Sequence, residues 1–263
     1  MTREQVNKPV EQHLIEMRLN RDAWERKAPL RAIYQGFYRL IKEHLRSPIS
    51  AETVELGSGI GAIKEVIPGC VTTDIFPNPW LDRVENAYAL NFADASVGNL
   101  ILFDVFHHLE FPGTALAEFG RVLRPGGRVV IFEPGLGVLG RFVYNAFHHE
   151  PVGEHEAIKW FAPDGLDLGK AGYYAAQGNA WRVFVRNELT QVLDDWIIRA
   201  IQPIVSIAYL ASGGFSKPSF CPGLPLPLAR TLDRFLSCLP QFFATRLLVV
   251  LEKTENRAMS YGK

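Results

Sequence analysis

The chain is 263 residues long, with 28 Lys+Arg against 28 Asp+Glu, 48% hydrophobic residues and 21% charged ones. This is an ordinary soluble composition, enough for one α/β domain with embellishments. Its charge balance gives no support to a nucleic-acid-binding surface, which needs a basic excess.

The start, Met1-Thr2-Arg3-Glu4-Gln5, is polar and lacks the apolar core of a signal peptide. Cys70, Cys221 and Cys238 are too scattered for a disulfide framework or a zinc spacing, so a reducing cytoplasm is the expected location. No metal is expected. Residues 1–46 read as helices, with Leu30, Ile33, Tyr34, Phe37, Tyr38, Ile41, His44 and Leu45 on one face, ended by Ser47-Pro48.

An extended run, Glu52 to Leu56, then enters Gly57-Ser58-Gly59-Ile60-Gly61. Glycines there allow a tight turn and let a ligand lie against bare backbone. A helix after such a turn aims its N–H groups at the ligand, which makes a nucleotide-type site. The third glycine comes one residue early for the dinucleotide spacing, where Ala62 sits, and Glu55 puts a carboxylate at the strand end. A short helix, Ala62 to Ile67, stops at Pro68-Gly69. Strands follow at Cys70 to Thr73, ending at Asp74-Ile75, at Val84 to Tyr88, and at Leu100 to Phe103. His107 and His108 open a helical turn. As i and i+1 on a helix they would not face one site, so they read as structural. Ala115 to Leu123 is an amphipathic helix, Pro125-Gly126-Gly127 a turn, and Val129 to Phe132 the fifth strand.

Beyond Glu133-Pro134, Leu136 to Phe147 forms an apolar helix, and His148-His149-Glu150-Pro151 and His155 open a long Gly- and aromatic-rich stretch. Asn187 is expected to cap a helix over 188–193. A sixth strand runs from Trp196 to about Tyr209, too interrupted by Arg199, Gln202 and Pro203 to span a membrane. Helical spacing returns at Leu228, Leu232, Phe235, Leu236 and Leu239, either as an ordinary packed helix or as an apolar lid for a lipid-like acceptor. Leu247 to Leu251 is the last strand, and 254–263 a frayed tail.

The segments ELGSGIG (55–61), TDI (73–75), NAYALNFADAS (86–96), FDVFHHL (103–109) and LRPGGRVVIFEP (123–134), in this order, resemble the class I S-adenosyl-L-methionine (SAM)-dependent methyltransferases, in the small-molecule group with the ubiquinone/menaquinone-type enzymes. The resemblance covers about 50–135 well. It implies an α/β, Rossmann-like, seven-stranded, mostly parallel sheet with helices on both faces. It also implies an N-terminal helical cap over 1–50, a methyltransferase domain over 51–253, and an acceptor-pocket insertion at 135–186 after strand 5. SAM is the implied cofactor, held by Glu55, Gly57, Ser58, Gly59, Asp74, Ile75, Asn86, Ala87 and Phe103. In this picture Asp74 takes the ribose hydroxyls, Asn86 the adenine amine and the Ala87 N–H an adenine nitrogen. Tyr34 or Tyr38 would either pack on the sheet or close over the pocket.

The expected function is methyl transfer to a small-molecule, glycan or lipid-headgroup acceptor, with peripheral membrane contact compatible. One of His148, His149, Glu150 or His155 is expected to be the general base, since imidazole titrates near neutrality. Anchoring the insertion is the competing role for that cluster, and a metal site a third. Two other readings remain: an NAD(P)-dependent oxidoreductase, and a SAM-binding partner protein without catalysis.

Overall fold

The structure is a computed structural model describing residues 3–46, 52–148, 150–170, 174–188, 193–219 and 225–254. Seven strands form one sheet: β1 (Glu52–Leu56), β2 (Cys70–Asp74), β3 (Arg83–Val84), β4 (Val97–Phe103), β5 (Leu123–Pro134), β6 (Trp196–Val205) and β7 (Ala244–Lys253). Their order is β3-β2-β1-β4-β5-β7-β6. Strands β1 to β5 are mutually parallel, and β7 runs antiparallel between β5 and β6. The order reverses between β1 and β4, and the carboxyl ends of those two strands frame the crevice where ligands of open α/β sheets bind.

The strands' side chains alternate between two layers. On one face Ile101, Phe103, Val130, Phe132, Leu248 and Val250 pack under α1 (Arg3–Arg26), α2 (Ala28–His44), α5 (Ile207–Ser212) and α6 (Leu226–Leu236). On the other, Val54, Leu56, Leu100, Leu102, Val129, Ile131 and Val249 meet α3 (Pro112–Val122), α4 (Val138–Phe147) and the buried turn Trp181–Val185. A further short helix, α7 (Pro240–Phe243), leads into β7. Tyr34 stacks on Phe103 at 5.2 Å and 17°, with Tyr38 5.3 Å away, so the aromatic face of α2 packs on the sheet.

Several elements differ from the sequence expectation. The third strand is Arg83–Val84, not 84–88. Past Val84 the Glu85 N–H donates to Asp74 O, and the Asn86 side chain accepts the Tyr88 N–H, closing a turn instead. The sixth strand stops at Val205, because Thr245 and Asp233 take the Ser206 and Ile207 N–H groups and α5 begins. After the glycine turn only one 3-10 turn forms, Ala62–Glu65. Asn187 adopts φ 56°, a left-handed turn rather than the extended geometry of an N-cap. The Ser47-Pro48 stop, most of the 188–193 helix and residues 255–263 lie outside the described residues.

The stretch between β5 and β6 is pinned over the strand ends. Ala176 N donates to His107 O, Gly113 N to Trp160 O, and Gly178 N to Val152 O. Arg182, 7% exposed, donates to the carbonyls of Gly153 and Glu156 and pairs with Glu188.

Candidate functional site

At the exit of β1 the glycine turn is wound in the left-handed region, with Gly57 at φ 67° and Gly59 at φ 52°. The two serve different ends. A Cβ on Gly57 would stand 2.4 Å from Val105 Cγ2, so this glycine lets the β1 and β4 exits meet. A Cβ on Gly59 would reach only the Met17 sulfur, at 3.3 Å, which leaves its backbone facing the crevice beneath α1. Ser58 is a strut: its N–H donates to Thr73 O, while its hydroxyl donates to Glu55 O and accepts from Thr73 N.

Around this turn the expected cofactor residues follow the strand order. Asn86 lies just past β3, Asp74 ends β2, Glu55 lies near the end of β1, and Phe103 ends β4. Asp74 is 7% exposed and accepts from Gly59 N at 3.2 Å and from Phe76 N at 3.3 Å. Each of its oxygens keeps acceptor capacity for a ribose hydroxyl. Ile75 is exposed beside it and Ala87 is partly buried. The Asn86 amide donates to Leu168 O at 3.4 Å. The Phe103 ring belongs to the aromatic layer under α2, so Asp104, at φ 55°, is the β4 side chain at the rim.

Glu55 is 1% exposed, and its Oε2 has no hydrogen-bond partner among the described residues. Burial, with the nearby Asp74 charge, pushes its carboxyl up to about 8, against the bond from Ser58. A buried acceptor left without a donor is costly. Placed beside bare backbone at the switch point, it fits the amino group or sulfonium environment of a cationic nucleoside. A second buried atom without a hydrogen-bond partner among the described residues is His13 Nε2 on α1, whose ring lies 5.0 Å from that of Phe76. Together with Met17 it makes α1 a roof over the crevice, within the 1–50 segment for which the resemblance implies an N-terminal helical cap.

The exits of β4 and β5 carry a second polar group. Glu133, fully buried, accepts the Val105 and Phe106 N–H groups on Oε1 and meets His107 Nδ1 with Oε2 at 2.6 Å. Burial opposes the charge on His107, but Glu133, Glu150 and Asp104 outweigh it and lift the imidazole to about 10. His108 is shifted down instead, by burial and then by the charge on His107, and its Nδ1–H donates to Tyr174 O at 2.9 Å. The two rings lie 4.1 Å apart and both turn Nε2 toward Glu150. The expectation that adjacent histidines diverge is therefore corrected. They sit in a single 3-10 turn, Phe106–His108, not on a regular helix.

Of the four candidates for the base, Glu150 joins this cluster directly. His148 meets Glu150 directly, its Nδ1 accepting the Glu150 N–H at 3.3 Å and lying 3.8 Å from Glu150 Oε2, and the Gln177 amide bridges the two, donating to His148 Nδ1 at 2.7 Å and to Glu150 Oε2 at 2.8 Å. His155 is exposed, and no contact among the described residues brings it to the cluster. His149 lies outside the described residues. Glu133 and Gln177 were missed, and His107, with His108, was read as structural. The signal for Glu133 was available: it is a carboxylate at a strand's carboxyl end, the rule that singled out Glu55.

Beside the cluster, Arg246 is 2% exposed and pairs with Asp104 Oδ1 at 2.7 Å. Its guanidinium lies 4.8 Å from the centre of the Phe132 ring, 5.2 Å from Phe103 and 5.4 Å from Tyr209. Attraction to Asp104 overcomes burial and holds it firmly protonated.

A family model described as a methyltransferase domain matches residues 54–131, from β1 into β5. The comparison with curated proteins returns no match. Among solved structures, the chain is similar to a chain of the Haloferax volcanii complex of the Trm112 methyltransferase activator, at 13% identity over 98% of this chain and 100% of that one, TM-score 0.52. It is similar to a SAM-dependent methyltransferase from Thermotoga maritima, at 14% identity over 92% and 99%, TM-score 0.51. A third is a SAM-dependent methyltransferase from Archaeoglobus fulgidus, at 11% identity over 85% and 94%, TM-score 0.50. What is shared at these identities is the Rossmann-like methyltransferase fold. With the domain match it supports SAM as the cofactor.

Proposed function

We propose that the chain is a SAM-dependent methyltransferase whose cofactor lies over the exits of β2, β1 and β4. The observation that carries this reading is the buried Glu55 Oε2, without a hydrogen-bond partner among the described residues, beside the Gly57–Gly59 turn, with Asp74 fifteen residues beyond Gly59 in the same crevice. Bound SAM supplies an electrophilic methyl group on a sulfonium. The protein's own contribution is placement and the exclusion of water. Asp74 accepts the ribose hydroxyls, Glu55 answers the cationic end, and the Gly59 backbone gives close approach under the α1 roof.

The acceptor enters between Asp104 and the stretch from His148 to Gln177, where Glu150 and the two histidines receive it. Its carrier is apolar. The helix α6 has one buried side chain, Ala229, and shows Leu228, Leu232, Phe235 and then Leu239 on one exposed face. Val138, Phe142 and Phe147 on α4 are exposed as well. Single exposed apolar residues mean little, but a stripe at helical spacing marks an interaction surface. It favours a lipid-type or lipid-linked acceptor over the ordinary packed helix.

The oxidoreductase reading has less support, since dinucleotide folds continue the parallel order 3-2-1-4-5-6, whereas here an antiparallel β7 separates β5 from β6. The partner-protein reading draws on the activator complex among the similar folds. Calorimetric titration with SAM, S-adenosylhomocysteine and NAD decides. Binding of the SAM pair but not NAD is expected, and NAD binding alone would overturn the proposal.

A further inference from the structure

We propose that His107, His108 and Glu150 form a site for a divalent transition-metal ion, with Zn2+ as its type. The backbone brings two neighbouring imidazoles to one carboxylate. Asp104 turns the chain out of β4 at φ 55°, and Phe106–His108 forms a single tight turn. His107 Nε2 then stands 3.6 Å from Glu150 Oε2, and His108 Nε2 stands 3.9 Å from Glu150 Oε1. Both separations exceed a good hydrogen bond. Ligand atoms about 2.1 Å from one tetrahedral ion lie about 3.4 Å from each other. One ligand atom from each of the three groups lies within 4.8 Å of the others, so an ion fits among them once they draw inward to that spacing.

The far side of each ring supports the same reading. Metal-binding histidines are usually oriented by a carboxylate or a backbone carbonyl on the other nitrogen. Here His107 Nδ1 meets Glu133 Oε2 at 2.6 Å, and His108 Nδ1 donates to Tyr174 O at 2.9 Å. Glu150 is itself oriented, by the Gln177 amide at 2.8 Å. The oxygen of that amide, Gln177 Oε1, is buried with no hydrogen-bond partner among the described residues. A cation beside Glu150 would give such an acceptor a counterpart.

Two imidazoles with one carboxylate suit Zn2+, Fe2+ or Mn2+ better than Mg2+ or Ca2+, which prefer all-oxygen shells. The His107 and Glu150 side chains are 4% and 11% exposed, while His108 keeps 35%. The site is thus enclosed at His107 and Glu150 and reached from the His108 side, where a further ligand would enter. Lying just past Asp104, that position would hold an oxygen of the acceptor, a clause that rests on the methyltransferase reading. Ion binding itself does not. The competing view is a purely ionic cluster that fastens the insertion.

The test uses the full, tag-free chain, stripped with a chelator and titrated with Zn2+ by calorimetry. One ion per chain is expected, with affinity reduced on the order of 100-fold by H108Q and by E150Q. D74A and H155Q should bind the ion like the parent. D74A failing with SAM while keeping the ion separates the two proposals. X-ray absorption of the Zn2+-loaded parent should count at least two imidazole ligands, which decides the matter even where a variant folds poorly. No stoichiometric uptake, uptake that survives both substitutions in folded protein, or fewer than two imidazoles on the ion would each overturn the site.

Discussion

Glu133 Oε2 and His107 Nδ1 meet at 2.6 Å with side-chain exposures of 0% and 4%, tying the exit of β5 to the exit of β4. The same carboxylate caps the Val105 and Phe106 N–H groups, so one side chain answers three donors. Glu133→Ala would strand all of them, and a buried charge with them. Breaking such a pair costs about 3–5 kcal/mol. Urea unfolding followed by circular dichroism should show a loss of that size. A loss below about 1 kcal/mol would mean the pair is not buried in solution.

Asp74 offers the test of the cofactor crevice. Asp74→Ala removes the two acceptor oxygens that the proposal assigns to the ribose hydroxyls, and should weaken SAM by about 1–3 kcal/mol in calorimetry. Gly59→Val puts a branched Cβ at φ 52° and against Met17, and should abolish the binding. Parent-like SAM affinity in both variants would remove the crevice from consideration.

Glu55 predicts a pH dependence with a definite sign. Its folded-state value is raised from 4.5 to about 8, so between those limits the native state holds more of the proton than the unfolded chain does. Its contribution is complete below pH 4.5 and is lost as pH rises to about 8. The melting temperature of the ligand-free parent should therefore fall relative to that of Glu55→Gln across this window. The positive charge on SAM favours the ionised carboxylate. Binding at pH 7 should then release a proton, seen as a dependence of calorimetric heat on the buffer's ionisation enthalpy. Parallel melting profiles for parent and Glu55→Gln would refute the raised value.

Asp104 and Arg246 should be unequal partners. Arg246 is 2% exposed and cannot hydrate if Asp104 is lost, whereas the Asp104 side chain keeps 30% of its surface. Asp104→Ala should destabilise by about 3–5 kcal/mol, as for an abandoned buried charge. Arg246→Met, which keeps the contact with the aromatic rings, should cost clearly less. Equal losses in chemical denaturation would contradict this asymmetry.

The stripe on α6 predicts an interface with lipid. Phe235→Ser with Leu232→Ser removes the centre of the exposed face, since Phe235 is 73% exposed and Leu232 40%. Co-sedimentation with anionic vesicles should fall while the melting temperature holds. If the parent never sediments with vesicles, the stripe serves another partner.

Local patterns along the chain carried the parallel core and the crevice at the exit of β1. Glycine spacing, apolar runs and a carboxylate at a strand end are short-range signals, and the rule that ligands sit at strand exits turns them into a place. That rule placed Glu55, Gly59 and Asp74 at one crevice, and their hold on SAM is the reading proposed above. The polar cluster was not. His107 and Glu133 are 26 residues apart, and Glu150 joins them only because the stretch after β5 folds back over the sheet. Adjacent histidines converge or diverge according to the turn that holds them, and here long-range packing selected a 3-10 turn. The buried state of Arg246, and the choice of His13 and Met17 as the α1 residues over the crevice, have the same origin. Each depends on which layer covers a residue, and only the assembled chain decides that.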